Sequence, residues 1–217
     1  MMKKLVIFDL DGTLLNTIAD LAAATNQALH TLGFPTHEEK SYLQFVGNGI
    51  YKLFERALPL PYRTTEHIAR VKELFVPYYN THGTDLTSPY AGIPALLEAL
   101  QQRGLRLAVA SNKYQAATAQ LVAHYFPTVC FAAVYGQQDG LPTKPNPVLV
   151  EKIMQQVSVS AAETLYVGDS EVDMQTALNA QVEACAVLWG FRTRAQLQAY
   201  HPAYLAEKPA DILRCLE

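Results

Sequence analysis

Apolar residues along this chain follow two rhythms. From Ala91 onward, short continuous apolar runs alternate with segments whose apolar positions recur every three or four residues, marking buried strands and amphipathic helices in turn. Ile93 to Arg103 reads as a helix closed by Gly104, Leu105 to Ala110 as a strand, about Tyr114 to Tyr125 as a helix, and Val129 to Tyr135 as a strand. Pro147 to Val157 follows as a helix with proline suited to its first turn. Leu165 to Val167 then reads as a strand, Val172 to Ala180 as a helix and Ala184 to Leu188 as a final strand. Ser160 and Glu163 have the spacing of a capping box. This alternation predicts right-handed crossovers and a largely parallel sheet covered by helices on both faces.

The N-terminal end starts in the same manner. Leu5 to Phe8 have the apolar, partly β-branched character of a strand buried on both faces. Between about Asn16 and Asp85 the strand-like runs vanish, and apolar positions take helical spacing in Ile18 to Leu32, Tyr42 to Val46, Ile50 to Leu58 and Thr65 to Tyr79. The pattern predicts an all-helical insertion of residues 16–85 in an α/β core made of residues 1–15 and 86–217. Asn16 to Thr17 and Asp85 to Pro89 would be its hinges.

At 217 residues the chain has room for one full domain and a smaller insertion. Its formal charge of -3, with no local cluster of Lys or Arg, argues against a nucleic-acid-binding surface. Cys130, Cys185 and Cys215 have no metal-ligand spacing, and Cys130 and Cys185 sit in apolar runs that predict buried free thiols. The six histidines form no paired motif, which argues against zinc. Lys3-Lys4 ahead of apolar residues opens like a signal peptide, but the run breaks at Asp9, and no apolar stretch is long enough to span a membrane. The reading is therefore cytoplasmic. Association of the helical insertion leaves both a monomer and a homodimer open.

Chemistry concentrates where strands end. Asp9 and Asp11 stand one residue apart at the mouth of the first strand, and Gly12 lets the backbone turn there. Paired acids at the end of a buried strand are costly unless a cation or a proton holds them. A calcium loop would need Gly at its sixth position and Glu at its twelfth; counted from Asp9 these are Leu14 and Asp20. In an open parallel sheet, ligands bind outside the carboxyl ends of the strands. Those ends also carry Ser111-Asn112-Lys113 and Gly168-Asp169-Ser170-Glu171-Val172-Asp173, with Lys144-Pro145 ahead of the helix leading to the second of these. Singly, Ser111 reads equally well as a helix cap, Lys144 as a solvated lysine, and Asp169 and Asp173 as first-turn helix acids. Together they fall on one edge of the sheet.

With these strings in place, the chain resembles the haloacid dehalogenase superfamily of aspartate-nucleophile phosphohydrolases. Asp9-Leu-Asp-Gly-Thr-Leu14, Ser111-Asn112, Lys144-Pro145 and Gly168-Asp-Ser-x-x-Asp173 match its four motifs in order. Gly47-Asn48-Gly49, Lys144-Pro-Asn-Pro147 and Trp189-Gly-Phe191 resemble its phosphoglycolate phosphatase-like branch. The resemblance implies a Rossmann-like α/β core with an all-helical cap inserted after the first strand. It implies a magnesium-dependent phosphatase acting on a small phosphorylated metabolite such as 2-phosphoglycolate through an aspartyl-phosphate. Asp9 would be the nucleophile and Asp11 the general acid and base. Thr13 would support the turn and orient Asp11 or the nucleophile. Asp9, the Asp11 carbonyl and Asp169 would ligate Mg2+, and Asp173 would bond a metal-bound water or Lys144. Glu171 points away from Asp169 at its spacing. Gly12, Ser111 and Asn112 would receive the phosphoryl group at a helix N-terminus, and Lys144 would offset its charge. Gly47, Asn48 and Gly49 read either as a substrate-facing turn of a closing lid or as a mobile inter-helix loop.

Asp11 argues against a dehalogenase, which needs no proton donor there. Sugar-phosphate mutase and pyrophosphatase chemistry stay compatible with the motifs. A phosphonate-cleaving relative would need a Schiff-base lysine in the cap, with Lys40 and Lys52 as the candidates. A catalytically silent, phosphate-sensing or partner-binding protein on the same fold is the reading from another class, and every motif position here is occupied.

Overall fold

A computed structural model describes residues 2–216. Six parallel strands, β1 (Leu5–Phe8), β4 (Arg106–Tyr114), β5 (Phe131–Gln137), β6 (Thr164–Gly168), β7 (Glu183–Val187) and β8 (Tyr204–Ala206), form one sheet in the order β5-β4-β1-β6-β7-β8. β1 is central because all four of its residues can be buried on both faces. Val6 and Phe8 point into an apolar layer with Leu97, Leu100 and Leu121, from helices α5 (Ile93–Gln102) and α6 (Gln115–Tyr125). Leu5 and Ile7 point the other way, against Ile153 and Met174 of α7 (Val148–Val157) and α8 (Glu171–Asn179). Alternation along one strand thus builds the cores on both faces of the sheet.

Between β1 and the rest of the sheet lie four helices, α1 (Ile18–Thr31), α2 (Glu39–Phe45), α3 (Ile50–Ala57) and α4 (Thr65–His82). They have a hydrophobic cluster of their own, centred on Tyr42, Phe54 and Phe75, and it is joined from the sheet side by Ala117 and Phe191. The chain enters and leaves this segment through two short antiparallel strands, β2 (Leu15–Asn16) and β3 (Ser88–Pro89). Asp20 of α1 clamps the return by accepting the N–H groups of Leu86 and Thr87.

The structure departs from the sequence reading in several places. The sheet does not end at β7: β8 follows as an edge strand, too short to carry a periodic signal, and the short helix α9 (Arg194–Gln198) lies between the two. β4 continues past Ala110 through an irregularity in its pairing with β5, so Ser111, Asn112 and Lys113 belong to the strand. Ser111 is consequently no helix cap, and Tyr114 precedes α6. Helix α4 runs through Pro77 to His82, three residues beyond the expected end. Cys130 is exposed rather than buried, since it precedes β5 instead of lying in it; Cys185 is buried. The capping box of Ser160 and Glu163 is present, ahead of a single 3-10 turn. No helix of the described residues is long and apolar enough to cross a membrane.

Candidate active site

Parallel strands deliver their chemistry to one edge. Asp9 follows β1, Asp169 follows β6, Asp173 lies in the first turn of α8, and Lys144 stands in the loop between β5 and α7. Carboxylate oxygens of Asp9, Asp169 and Asp173, all buried, lie within 4.8 Å of one another. Lys144 Nζ lies 2.8 Å from Asp173 Oδ1 and 2.9 Å from Asp9 Oδ1, and donates to the Ala110 carbonyl and the Tyr166 hydroxyl at 3.0 Å. Burial works against its ammonium charge, but Asp173 and Asp9 together raise its pKa well above the ordinary value.

The three acids are bound unequally. Asp173 is saturated: Oδ1 accepts from Lys144 and Tyr166, and Oδ2 from the Ser170 N–H and hydroxyl. Asp169 accepts the Phe191 N–H at 2.7 Å and the Thr13 hydroxyl at 3.3 Å. Asp9 Oδ1 is buried and lacks a hydrogen bond; its contact with Lys144 is an ion pair off hydrogen-bond geometry. Burial, then repulsion from Asp173, push the Asp9 carboxyl up to about 7 against the pull of Lys144. Burial and the charges of Asp173 and Asp9 also raise Asp169. Three clustered carboxylates against one ammonium, with Asp9 Oδ1 lacking a hydrogen bond, fit a divalent cation that prefers hard oxygen ligands. Asp9 and Asp169 have free acceptor capacity for it, whereas Asp173 is committed to Lys144, Tyr166 and Ser170.

This electrostatic load has a measurable sign. The folded protein binds the Asp9 proton more tightly than the unfolded chain, so without metal this group's stabilisation is lost as pH rises from about 4 through 7. Thermal unfolding in a chelator should therefore show wild type losing stability relative to Asp9→Asn across that window. Saturating Mg2+ should flatten the difference. Parallel pH profiles of the two chelated proteins would contradict the strained-carboxylate picture.

Asp11 sits beside the triad with different partners. Lys113 Nζ reaches its two oxygens at 3.1 and 3.3 Å, and the Thr17 hydroxyl donates to it at 2.7 Å. Lys113 is itself buried and lies over the Tyr79 ring of α4, 4.6 Å from its centroid. Thr13, expected to serve Asp11 or the nucleophile, bonds Asp169 instead, because the turn at Gly12 carries it toward β6. Gly12 adopts φ +84°, and a Cβ there would lie 2.4 Å from Asp169 Oδ2, so the turn requires glycine.

Ser111 and Asn112 line the cavity above these acids. The Asn112 side chain accepts the Lys144 N–H at 2.8 Å and donates to the Lys144 carbonyl at 3.1 Å, which fixes the lysine loop to β4. It also donates to the Gly47 carbonyl across the gap at 3.2 Å. Gly47 and Gly49 border the cavity; Asn48 turns away and accepts from Arg56. Leu21, Val46, Ile50 and Leu53 of the helical segment give the cavity an apolar wall opposite the acids.

The sequence reading left several participants without a role. Lys113 is adjacent to the Ser111-Asn112 string, and its place at a strand end was the available signal. Thr17 and Tyr166 had none, since a lone Thr or Tyr in an element is ordinary. Trp189 Nε1 donates to the Thr13 carbonyl, and the Phe191 N–H anchors Asp169, so the Trp-Gly-Phe string braces the site from behind. Arg192 also borders the cavity.

Residues 6–187 match the model of the haloacid dehalogenase-like hydrolases. A phosphoglycolate phosphatase of Vibrio parahaemolyticus is 33% identical over 215 residues, spanning 97% of this chain and 94% of that protein. One from Aquifex aeolicus is 27% identical over 99% of this chain and 97% of its own length. The crystal structure of a phosphoglycolate phosphatase candidate from Lactobacillus delbrueckii subsp. bulgaricus superposes with a TM-score of 0.91 at 31% identity, covering 100% of this chain and 99% of that one. The chain belongs to the haloacid dehalogenase-like hydrolase family. Within that family it is an enzyme of the phosphatase class, with a small phosphorylated molecule as its substrate.

Proposed function

We propose that this phosphatase uses Mg2+ to hydrolyse 2-phosphoglycolate, with Asp9 as nucleophile and residues 16–85 as a closing cap. The observation that carries the reading is the buried convergence of Asp9, Asp169, Asp173 and Lys144 at one sheet edge, with Asp9 Oδ1 ion-paired to Lys144 but lacking a hydrogen bond. The names of the relatives support the choice of substrate. Asp9, the Asp11 carbonyl and Asp169 would hold the metal. Bound there, Mg2+ would lower the repulsion between the carboxylates and an incoming phosphate dianion.

The chain's own groups supply the remainder. An oxygen of Asp9 attacks phosphorus as the ester P–O bond breaks, and Asp11 protonates the departing oxygen. Asp11 then takes a proton from the water that attacks the aspartyl-phosphate. That step breaks the bond to Asp9 and frees inorganic phosphate. Lys144 offsets charge on the phosphoryl oxygens, and Ser111 and Asn112 orient them. Asp173 holds Lys144 in place. The lining supports the cap role, because Leu21, Val46, Gly47, Ile50 and Leu53 of the helical segment wall the cavity and movement of those helices would change access to it.

Lys40 and Lys52 are exposed and paired with Glu38 and Glu55, and neither borders the cavity, which weighs against phosphonate cleavage. Phosphate release from a panel of phosphorylated metabolites, with and without Mg2+, tests the reading. 2-Phosphoglycolate should give the highest kcat/KM and chelation should abolish it. Preference for a sugar phosphate by about tenfold or more would overturn the substrate assignment.

A further inference from the structure

Arg192 has no part in the chemistry above, yet it is buried in the loop after β7. Its Nε donates to Glu171 Oε2 at 2.8 Å and its Nη2 to Glu171 Oε1 at 3.3 Å, a two-point pairing that fixes the guanidinium plane. From that seat it reaches into the helical segment. Nη1 donates to the Leu43 carbonyl, and Nη2 to the Val46 carbonyl at 3.0 Å. Leu43 lies in the last turn of α2 and Val46 caps it. The last carbonyls of a helix lack intrahelical partners and carry the negative end of its dipole, so a buried cation suits them.

Val46 leads directly into the turn at Gly47-Asn48-Gly49 that borders the cavity. Asn112 holds the same turn through the adjacent Gly47 carbonyl. Two side chains of the sheet-bearing core thus grip one turn, each anchored to site elements: Asn112 to the Lys144 loop and Arg192 to the helix that carries Asp173. Gly47 suits this grip through its backbone, since its φ of +122° is a conformation that L side chains rarely adopt.

We propose that Arg192, seated on Glu171, is a positioning residue that sets where the Gly47-Gly49 turn lies over the substrate. The inference rests on residues 16–85 acting as a cap. Arg192 acts through the turn and touches no reacting atom. Its loss therefore weakens binding of the substrate's organic part more than it slows the chemical step.

Steady-state kinetics on 2-phosphoglycolate and hydrogen–deuterium exchange at residues 46–49 test this in the metal-loaded enzyme. Arg192→Ala should raise KM about tenfold or more, as expected for loss of charge-assisted hydrogen bonds, with kcat within about threefold. Amide exchange in the turn of the substrate-free protein should rise about tenfold. Arg192→Lys cannot reproduce the two-point pairing and should fall between the two, and it carries the test if the alanine variant does not fold. Glu171→Gln should shift KM in the same direction, and its effect should not add to that of Arg192→Ala. Failure of wild type to use 2-phosphoglycolate would sink the substrate assignment alone, because the exchange measurement needs no substrate and would still decide the role of Arg192. A folded Arg192 variant with turn exchange within about twofold of wild type would overturn the proposal, as would a fall in kcat at constant KM.

Discussion

Asp9→Asn is expected to lower turnover by about 10⁴-fold or more while the metal-free protein becomes no less stable than wild type. The two halves of this result have one cause. Asparagine is nearly isosteric with aspartate but offers no anionic oxygen to phosphorus, so the covalent route closes. The same change removes one of three mutually repelling buried carboxylates, whose cost shows in the raised pKa values of Asp9 and Asp169. Phosphate release and thermal unfolding in a chelator, measured side by side, check both halves. Residual activity above about 1% of wild type would remove Asp9 from the nucleophile's role.

Lys144→Met is expected to be the most damaging change to stability. The lysine is 1% exposed at its side chain and compensates Asp173, which is 0% exposed, as well as Asp9. Methionine fills similar volume but leaves Asp173 and Asp9 facing each other with no ammonium between them. Breaking a buried pair in this way typically costs about 3–5 kcal/mol. Urea denaturation of the chelated protein measures it, and Mg2+ should recover part of the loss by taking over the charge of Asp9 and Asp169. On the proposed role of Lys144 beside the phosphoryl oxygens, the variant should also lose activity by about 10²–10³-fold. A loss of stability below about 1 kcal/mol would contradict the compensating role of Lys144 in this cluster.

Legibility in the sequence followed the range of the interactions. The parallel sheet could be read because Leu5 to Phe8, Leu107 to Ala110 and Leu165 to Val167 are continuous apolar runs, and burial on both faces leaves no other pattern. The strand-end residues could be read because a parallel sheet sends each strand's carboxyl end to one edge. β8 could not, since Tyr204 to Ala206 is held by neighbours distant in sequence rather than by its own pattern. The irregularity after Ala110 escaped for the same reason: β5 decides how far β4 continues. Partner choice inside the site was also hidden. Nothing in the spacing of Thr13 and Thr17 says that the first serves Asp169 and the second Asp11; that follows from how the Gly12 turn twists. Arg192 lay outside every motif because its partners, Leu43 and Val46, are main-chain carbonyls about 150 residues away, and any residue type supplies such groups.

The small β2–β3 pair bears on how this chain folds. The sheet centres on β1, yet the polypeptide leaves at Asn16 and returns at Ser88 before β4 can dock beside it. A detour of that length would be expected to slow a parallel topology, which must already bring distant strands together. Closure entropy grows only logarithmically, however, and each doubling of a loop costs about 0.6 kcal/mol. Once Leu15 and Asn16 pair with Pro89 and Ser88, the detour counts as closed whatever its four helices are doing. Collapse of the helices and docking of the sheet then become separable events, joined at two hydrogen-bonded residues on each side.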